Sequence, residues 1–346
     1  MISINNLISI KNERDVIKSL DYPFVSIIIP AKNEIHNLRR CIDSLLNQNY
    51  PKDLYEILPV DDGSIDGTKE LIDDLFNHYK QIELTEIDKN SSRGKLNSID
   101  LGIQAAKGEI IITTDADVWM GPNWIQAMVK DFDKKTGMII GIAIEEISSN
   151  PINLFQVLDG SVIRIISAAL AEIKKPITCQ GANLAFRKSA YLDVRDRVLE
   201  LARKFGNREW LMQEINLSNK WSIKSQLNRE SFVFTNCPSN WFSLINQRAR
   251  WASTGKQYSK LSIRLYLTLI YFSMLTFILA PFIVNLKLAL IIFAIKFTID
   301  ILVGYLVAKS LEMPRLLFAF PIVFILQPIM VVITAFLGSF NLYYWK

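Results

Sequence analysis

GEIIITTDADVWMGP, residues 108–122, is the stretch on which the fold turns. Ile110 to Thr114 is an unbroken β-branched run, too short for a helix and bounded by Gly108 and Asp115, as expected of a strand buried on both faces. It ends abruptly on two carboxylates, Asp115 and Asp117. Working outward, the same grammar recurs three times upstream. FVSIIIP (24–30) leads into PAKNE (30–34) and a helical period over 35–47. YEILPV (55–60) leads into DDGSIDGT (61–68) and a helix over 68–79, and IELTEI (82–87) leads into KNSSRGK (89–95) and a helix over 95–106. Strands alternating with crossover helices imply an α/β fold with a mostly parallel, Rossmann-like sheet covered on both faces. Ligands of such sheets bind at the carboxyl ends of the strands, which places all four polar segments on one rim.

Downstream the pattern becomes mixed. A long helical stretch from Ile152 to Ile173 precedes TCQGANLAFRKSAY (178–191), and no Gly/Ser/Pro-rich linker breaks the chain, so residues 1–262 are expected to be one domain. Residues 263–346 read as a membrane domain. Leu265 to Val284 carries no charge over 20 residues, enough to cross the hydrocarbon core, and Leu288–Ala308 and Leu316–Phe340 follow as two further candidate spans. Lys296 and Asp300 lie inside the second span four residues apart, where they can neutralise each other. Arg248, Arg250, Lys256, Lys260 and Arg264 precede the first span and Lys309 and Arg315 the third, against Lys287 alone in the first loop. The positive-inside rule then predicts an integral protein of the plasma membrane with a cytoplasmic domain and the C-terminus outside. The N-terminal MISINNLISIKNERD lacks the features of a signal peptide.

Composition narrows the partners. Lys and Arg total 39 against 34 Asp and Glu, a formal charge of +5. That is too mild for nucleic acid and compatible with an anionic membrane surface. The cysteines Cys41, Cys179 and Cys237 show no metal-ligand spacing and read as reduced. His36 and His78, the two histidines, stand apart from other candidate ligands.

Asp115 and Asp117, one residue apart at a strand end, can offer oxygens to one hard cation, Mg²⁺ or Mn²⁺, that bridges to a diphosphate. D-x-D also occurs in ordinary surface loops, so position and neighbours decide. Asp62 in DDGS can accept hydrogen bonds from a base or ribose with Gly63 allowing close approach, although, taken singly, an ordinary strand-to-helix turn capped by Ser64 or Asp66 is the better account of that sequence. Gly94-Lys95 opens a helix and suits a phosphate.

Taken in order from Val25 to Trp251, these segments resemble the family 2 glycosyltransferases of the GT-A fold. The resemblance is carried by VSIIIPAKNE, VDDGSIDGT, RGKLNSIDLGIQAAKGEIIITTDADVWMGPNWI, GANLAFRKSAY and Gln247-Arg248-Ala249-Arg250-Trp251. It implies that Asn33, Glu34 and Asp62 line a nucleoside pocket, that Lys95 and Asp115 contact the nucleotide, and that Asp117 holds the metal. Gly181, Ala182 and Asn183 would wall the donor sugar and acceptor. The Q-x-x-R-W pattern would aim Arg248 and Arg250 at the diphosphate and set Trp251 beside the acceptor; a basic, aromatic stretch at the membrane interface is the plainer account of it. The family's acidic pair, which supplies the general base, corresponds here to Asn207-Arg208. Arginine accepts no proton at neutral pH, which leaves Glu209 as the neighbouring carboxylate.

The resulting expectation is a metal-dependent, inverting glycosyltransferase that moves sugar from a nucleotide-sugar, such as a UDP-sugar, to a lipid or glycan acceptor at a membrane. Two alternatives stand beside it. A nucleotide-sugar pyrophosphorylase shares the layout but usually has a glycine-rich basic loop where this chain has PAKNE. A membrane protein that binds nucleotide-sugar without turnover would account for Asn207-Arg208.

Overall fold

The computed structural model describes residues 22–83, 94–148, 150–205, 209–253, 255 and 261–344. The chain opens with β1 (Val25–Ala31), α1 (Leu38–Leu46), β2 (Tyr55–Asp61), α2 (Thr68–His78), α3 (Lys95–Ala105) and β3 (Ile110–Thr114). Then come β4 (Val118–Met120), α4 (Trp124–Val129), β5 (Thr136–Ile140), β6 (Ala143–Glu145) and α5 (Pro151–Glu172), a helix of 22 residues. β7 (Asn183–Arg187), α6 (Lys188–Leu192), α7 (Arg195–Phe205), α8 (Glu209–Leu217), β8 (Ser222–Ser225), β9 (Val233–Thr235) and α9 (Trp241–Ser253) follow. The apolar end contributes α10 (Leu261–Ile283), α11 (Leu286–Ser310), a 3₁₀ segment (Pro314–Ala319) and α12 (Phe320–Ser339).

The main sheet has the order β2-β1-β3-β7-β5-β8. β1 pairs in parallel with β2 and β3, and its seven residues are all buried, which is why it reads as a continuous apolar run. Its side chains divide between two cores: Val25, Ile27 and Ile29 pack with Leu38, Ile42 and Leu75 on one face. Ile28 packs with Ile99, Ile103 and Phe186 on the other. A smaller sheet, β4-β9-β6, flanks the first.

One strand departs from the expected parallel pattern. β7 runs antiparallel between β3 and β5, with Thr114 opposite Asn183. It therefore begins at the rim where β3 ends, and the GANLAFR segment contributes its first residues to that rim. Of the expected strand at IELTEI, the described residues show a parallel bridge between Ile57 and Ile82. Residues 84–93, which include most of that run and of KNSSRGK, lie outside the described residues.

Four described helices are long and apolar enough to cross a membrane, one more than expected. The additional one is α5, and burial separates it from the others. The most apolar window of α5 is 61% buried, against 6% for α10, 11% for α11 and 33% for the segment ending in α12. α5 is a core helix that carries Gln156, Asp159 and Arg164 inward. Lys296 and Asp300 pair as anticipated, and the ammonium also approaches Gln327 Oε1 at 3.4 Å.

The sheet domain and the apolar helices share a core. Ile142, Ile144, Phe155, Leu158 and Leu244 cluster with Val307, Leu311, Leu316, Phe320 and Phe324. Gly338 of α12 closes the packing: a Cβ there would lie 2.5 Å from the Ala249 carbonyl oxygen and 2.8 Å from the Ser253 nitrogen, both on α9. Gly338→Ala is expected to push the helices apart and destabilise the protein by about 1–3 kcal/mol, the usual range for overpacking. Thermal unfolding in detergent checks this; an unchanged midpoint would mean that α12 does not seat on α9.

Candidate active site at the carboxyl rim of the sheet

Because β1, β2 and β3 are parallel, their following loops meet at one edge, and backbone donors lock the first two together. Asn33 N donates to Ser64 Oγ (2.9 Å), Glu34 N to Thr68 Oγ1 (2.9 Å) and Ile35 N to Asp66 Oδ2 (3.1 Å). Ile65 N returns a hydrogen bond to Asn33 Oδ1 (3.0 Å). Asn33 adopts φ 55°, a left-handed conformation that asparagine tolerates. The plainer account of DDGS is thus correct for part of it. Asp61 closes the turn by accepting from Gly63 N and Ser64 N, and Asp66 accepts from Thr68 N at the start of α2.

Asp62, the next residue, is buried and turns the other way. Its Oδ1 accepts from Gly94 N at 2.8 Å, and its Oδ2 lies 3.8 Å from Lys32 Nζ. That contact draws the start of α3 to the rim, where Lys95 Nζ meets Asp115 Oδ1 at 3.0 Å. Asp62, Lys95 and Asp115, singled out separately in the sequence, are therefore linked in one chain of contacts.

Asp117 completes the group and is the most perturbed carboxylate in it. Burial first, then the charges of Asp115 and Glu34, push its pKa up to about 6, against the opposing pull of Lys95. Glu34 is thus part of the acidic cluster around Asp117, a role its place in PAKNE did not reveal. The same carboxylates act beneath the site, where burial and the charges of Asp117 and Asp115 hold the Cys41 thiol far above its usual range. Its Sγ reaches the Asp115 carbonyl at 3.5 Å.

Among the described residues no three His, Cys, Asp or Glu side chains form a metal cage. A hard cation carried mainly by substrate phosphates needs only one or two protein carboxylates, and Asp117 with Asp115 fits that requirement. The excess negative charge at Asp117 is what such a cation would relieve.

The wall formed by β7 adjoins Asp115. Thr114 Oγ1 donates to the Ala182 carbonyl (2.9 Å), and Gly181 and Ala182 remain partly open. Asn183 differs from expectation, since it is completely buried. Its Oδ1 accepts from Trp124 Nε1 (3.1 Å), and its Nδ2 donates to the carbonyls of Ile142 (2.9 Å) and Ser231 (2.8 Å). It braces the wall from behind.

Arg248 also differs. Its guanidinium is buried against Asp159 (2.8 Å) and donates to Gln156 Oε1 (2.6 Å), both on α5. Gln156 passes the connection to Glu145, which pairs with Arg164 at 2.6 Å. Burial alone would raise the Glu145 carboxyl, but Arg164 and Gln156 outweigh it and hold it below its ordinary range. Arg248 sits 5.3 Å from the centre of the Trp251 ring, so the buried network supports the exposed tryptophan of the motif. Glu145, Gln156, Asp159 and Arg164 were not legible as a set in the sequence; the signal was the placing of Gln156, Asp159 and Arg164 along a mostly apolar helical stretch. Arg250 is partly exposed. Glu209 is the first residue of α8, and its neighbours Gly206, Asn207 and Arg208 lie outside the described residues.

The model of glycosyl transferase family 2 matches residues 26–194, which hold β1 through β7 and every rim loop. Residues 26–194 are a glycosyl transferase family 2 domain. The chain is 32% identical over 123 residues to the glycosyltransferase AglE of Haloferax volcanii, an alignment covering 36% of this chain and 40% of that protein. It is 25% identical over 259 residues to a poly-beta-1,6-N-acetyl-D-glucosamine synthase of Staphylococcus epidermidis, covering 73% of this chain and 58% of the relative. The matches thus span only about half of these relatives' lengths. Among solved structures, a mannosyltransferase from Pyrobaculum calidifontis in complex with GDP-Man and Mn²⁺ superposes over 92% of this chain and 87% of its own, with a TM-score of 0.55 at 17% identity. That likeness establishes the GT-A-like fold of the family 2 domain.

Two outcomes follow from the charge arrangement. The folded pKa of Asp117, about 6, lies above the unfolded value of about 3.9, so its penalty is absent below pH 4, grows through pH 4–6 and is complete above 6. Asp117→Asn should therefore stabilise the metal-free protein above pH 6 by on the order of 1–3 kcal/mol. Mn²⁺ should raise the unfolding temperature of the wild type and not of the variant; equal shifts would remove Asp117 from the metal site. Arg248→Ala leaves Asp159 buried and unpaired, at a cost of about 3–5 kcal/mol. Chemical denaturation of the variant checks this; an unchanged stability would mean that Asp159 does not depend on Arg248.

Proposed function

We propose that the protein is an inverting glycosyltransferase that moves sugar from a nucleotide-sugar donor, a UDP-sugar in the first instance, to a lipid or glycan acceptor at a membrane. The observation that carries this reading is the convergence of Asp62, Lys95, Asp115 and Asp117 on one rim, with Asp117 short of positive charge. Asn33, Glu34 and Asp62 line the nucleoside end, Lys95 and Asp115 meet the nucleotide, and Asp117 holds Mg²⁺ or Mn²⁺. When bound, the cation neutralises charge on the departing diphosphate. Gly181 and Ala182 border the donor sugar, and Trp251 the acceptor. Arg250 is the motif's diphosphate contact, while Arg248 holds α9 in place. Glu209 removes the proton from the acceptor hydroxyl as its oxygen attacks the anomeric carbon from the face opposite the leaving group.

Glycan- and lipid-modifying relatives support a membrane acceptor, since the matches include, besides the Staphylococcus synthase, beta-monoglucosyldiacylglycerol synthases. The apolar helices set the domain beside a bilayer, and the positive-inside pattern argues for its cytoplasmic face.

The direct test incubates the detergent-purified protein with a panel of nucleotide sugars and Mn²⁺ and measures nucleoside diphosphate release with and without membrane lipids. One donor should be consumed, faster with the acceptor lipid present; absence of both release and donor binding would overturn the reading. Glu209→Gln is expected to keep donor affinity within about twofold and lose about 10²–10⁴ in turnover, the usual share of a general base. Arg208→Asp should restore part of the loss in that background. Donor binding with no turnover by the native chain, awakened by Arg208→Asp, would instead establish the binding-only alternative.

A further inference from the structure

The apolar helices return the chain to where it left the domain. α10 and α11 form an antiparallel hairpin: Phe277 and Phe293 stack at 5.0 Å on either side of the turn at Asn285. The far end of α11 is back in the domain's core, where Val307, Ala308 and Leu311 cluster with Ile142 and Phe155. Two crossings have then been used. The 3₁₀ segment and the first residue of α12 belong to the same core, through Leu316, Ala319 and Phe320. It also ends against the domain: Gly338 fits against Ala249 and Ser253 of α9. Beyond it, Asn246 and Tyr344 exchange two hydrogen bonds, Asn246 Nδ2 to the Tyr344 carbonyl (2.8 Å) and Tyr344 N to Asn246 Oδ1 (2.7 Å). Ser253 Oγ also donates to the Tyr343 hydroxyl (3.2 Å).

α9 belongs to the domain side, because Arg248 is paired with Asp159 of the core helix α5. Residues hydrogen-bonded across 2.7–2.8 Å cannot stand on opposite sides of a hydrocarbon core about 30 Å thick. The number of crossings between Asn246 and Tyr344 is therefore even. Three full spans, the arrangement expected from hydropathy and charge, would put the C-terminus on the far side and break these contacts.

Exposure identifies the helix that does not cross. α10 and α11 are open to their surroundings on almost every side, as lipid-embedded spans are. α12 is two-faced: Val323, Phe324, Pro328, Met330, Thr334 and Gly338 are buried, Phe324 against Phe277 and Phe293 of the hairpin and Gly338 against α9 of the domain. Ile325, Ile329, Ile333, Phe336 and Phe340, spaced by four, four, three and four residues, form one exposed apolar stripe along the helix.

We propose that the described chain crosses the bilayer twice, through α10 and α11, and that α12 does not cross but packs beside that hairpin and returns to the domain's face, with its Ile325–Phe340 stripe in lipid. The occupant of that stripe is acyl chain, since the face continues from the lipid-exposed hairpin and carries no charge. Trp251, on the helix that α12 supports, then sits near headgroup level. The inference concerns topology alone and does not depend on which sugar is moved.

Two measurements on the full chain test it. A fluorescent reporter that matures on one side of the membrane only, fused before Met1 or after Lys346, should give the same result at both ends; opposite results would show that α12 crosses. In a matched pair of variants, Ile333→Lys should keep the membrane-inserted yield within about twofold, because its ammonium can snorkel to the headgroups. Ile295→Lys, in the middle of a span, should reduce that yield several-fold. Equal losses from the two would overturn the return of α12 to the domain's face.

Discussion

β1 pairs in parallel with a strand on each side, and parallel pairing sends the carboxyl ends of neighbouring strands to the same edge. Everything chemical in the domain follows from that constraint. The loops after β1 and β2 are close enough to share hydrogen bonds, the loop after β3 brings two carboxylates to the same place, and Asp62 draws in the first turn of α3. The antiparallel β7 exploits the constraint in reverse, entering the sheet where its neighbour leaves it. A parallel β7 would have delivered Gly181 and Ala182 to the opposite edge of the molecule.

The parts of this arrangement that could be read from the sequence are those fixed by local patterning. Continuous β-branched runs gave the buried strands, and the polar segments after them gave the rim. α1, α2, α3 and α5 lie within a few residues of their expected limits. Direction within a sheet has no such signature, because the apolar alternation of GANLAFR is the same whichever way the strand runs. Long-range pairing is equally silent. Nothing adjacent to Arg248 indicates that its partner is Asp159, 89 positions earlier, and so a basic motif that looks aimed at phosphate supplies one arginine to the interior. Asn183 shows the same limit, since asparagine in a rim segment suits a ligand contact and a buried brace equally well.

Hydropathy misleads for a related reason. It measures how apolar a helix is and is indifferent to what surrounds it. α5, α10, α11 and α12 all qualify as spans by that measure, yet α5 is mostly buried, α10 and α11 are almost wholly exposed and α12 is covered on one side. Hydropathy cannot tell a span from α5; the polar residues inside it can. Gln156, Asp159 and Arg164 are affordable only because the domain supplies Glu145 and Arg248 as partners.

The shared core also bears on how this protein can be handled. A fragment ending near residue 262 would be a natural choice for crystallisation or binding studies, but Phe155, Leu158, Ile142 and Leu244 are covered by α11, α12 and the 3₁₀ segment. Cutting there would leave an apolar scar on the domain and remove the support behind α9, which presents Arg250 and Trp251. Such a fragment would be prone to self-association. The apolar helices belong to the domain's own core, and the protein is best studied whole, in detergent or nanodiscs.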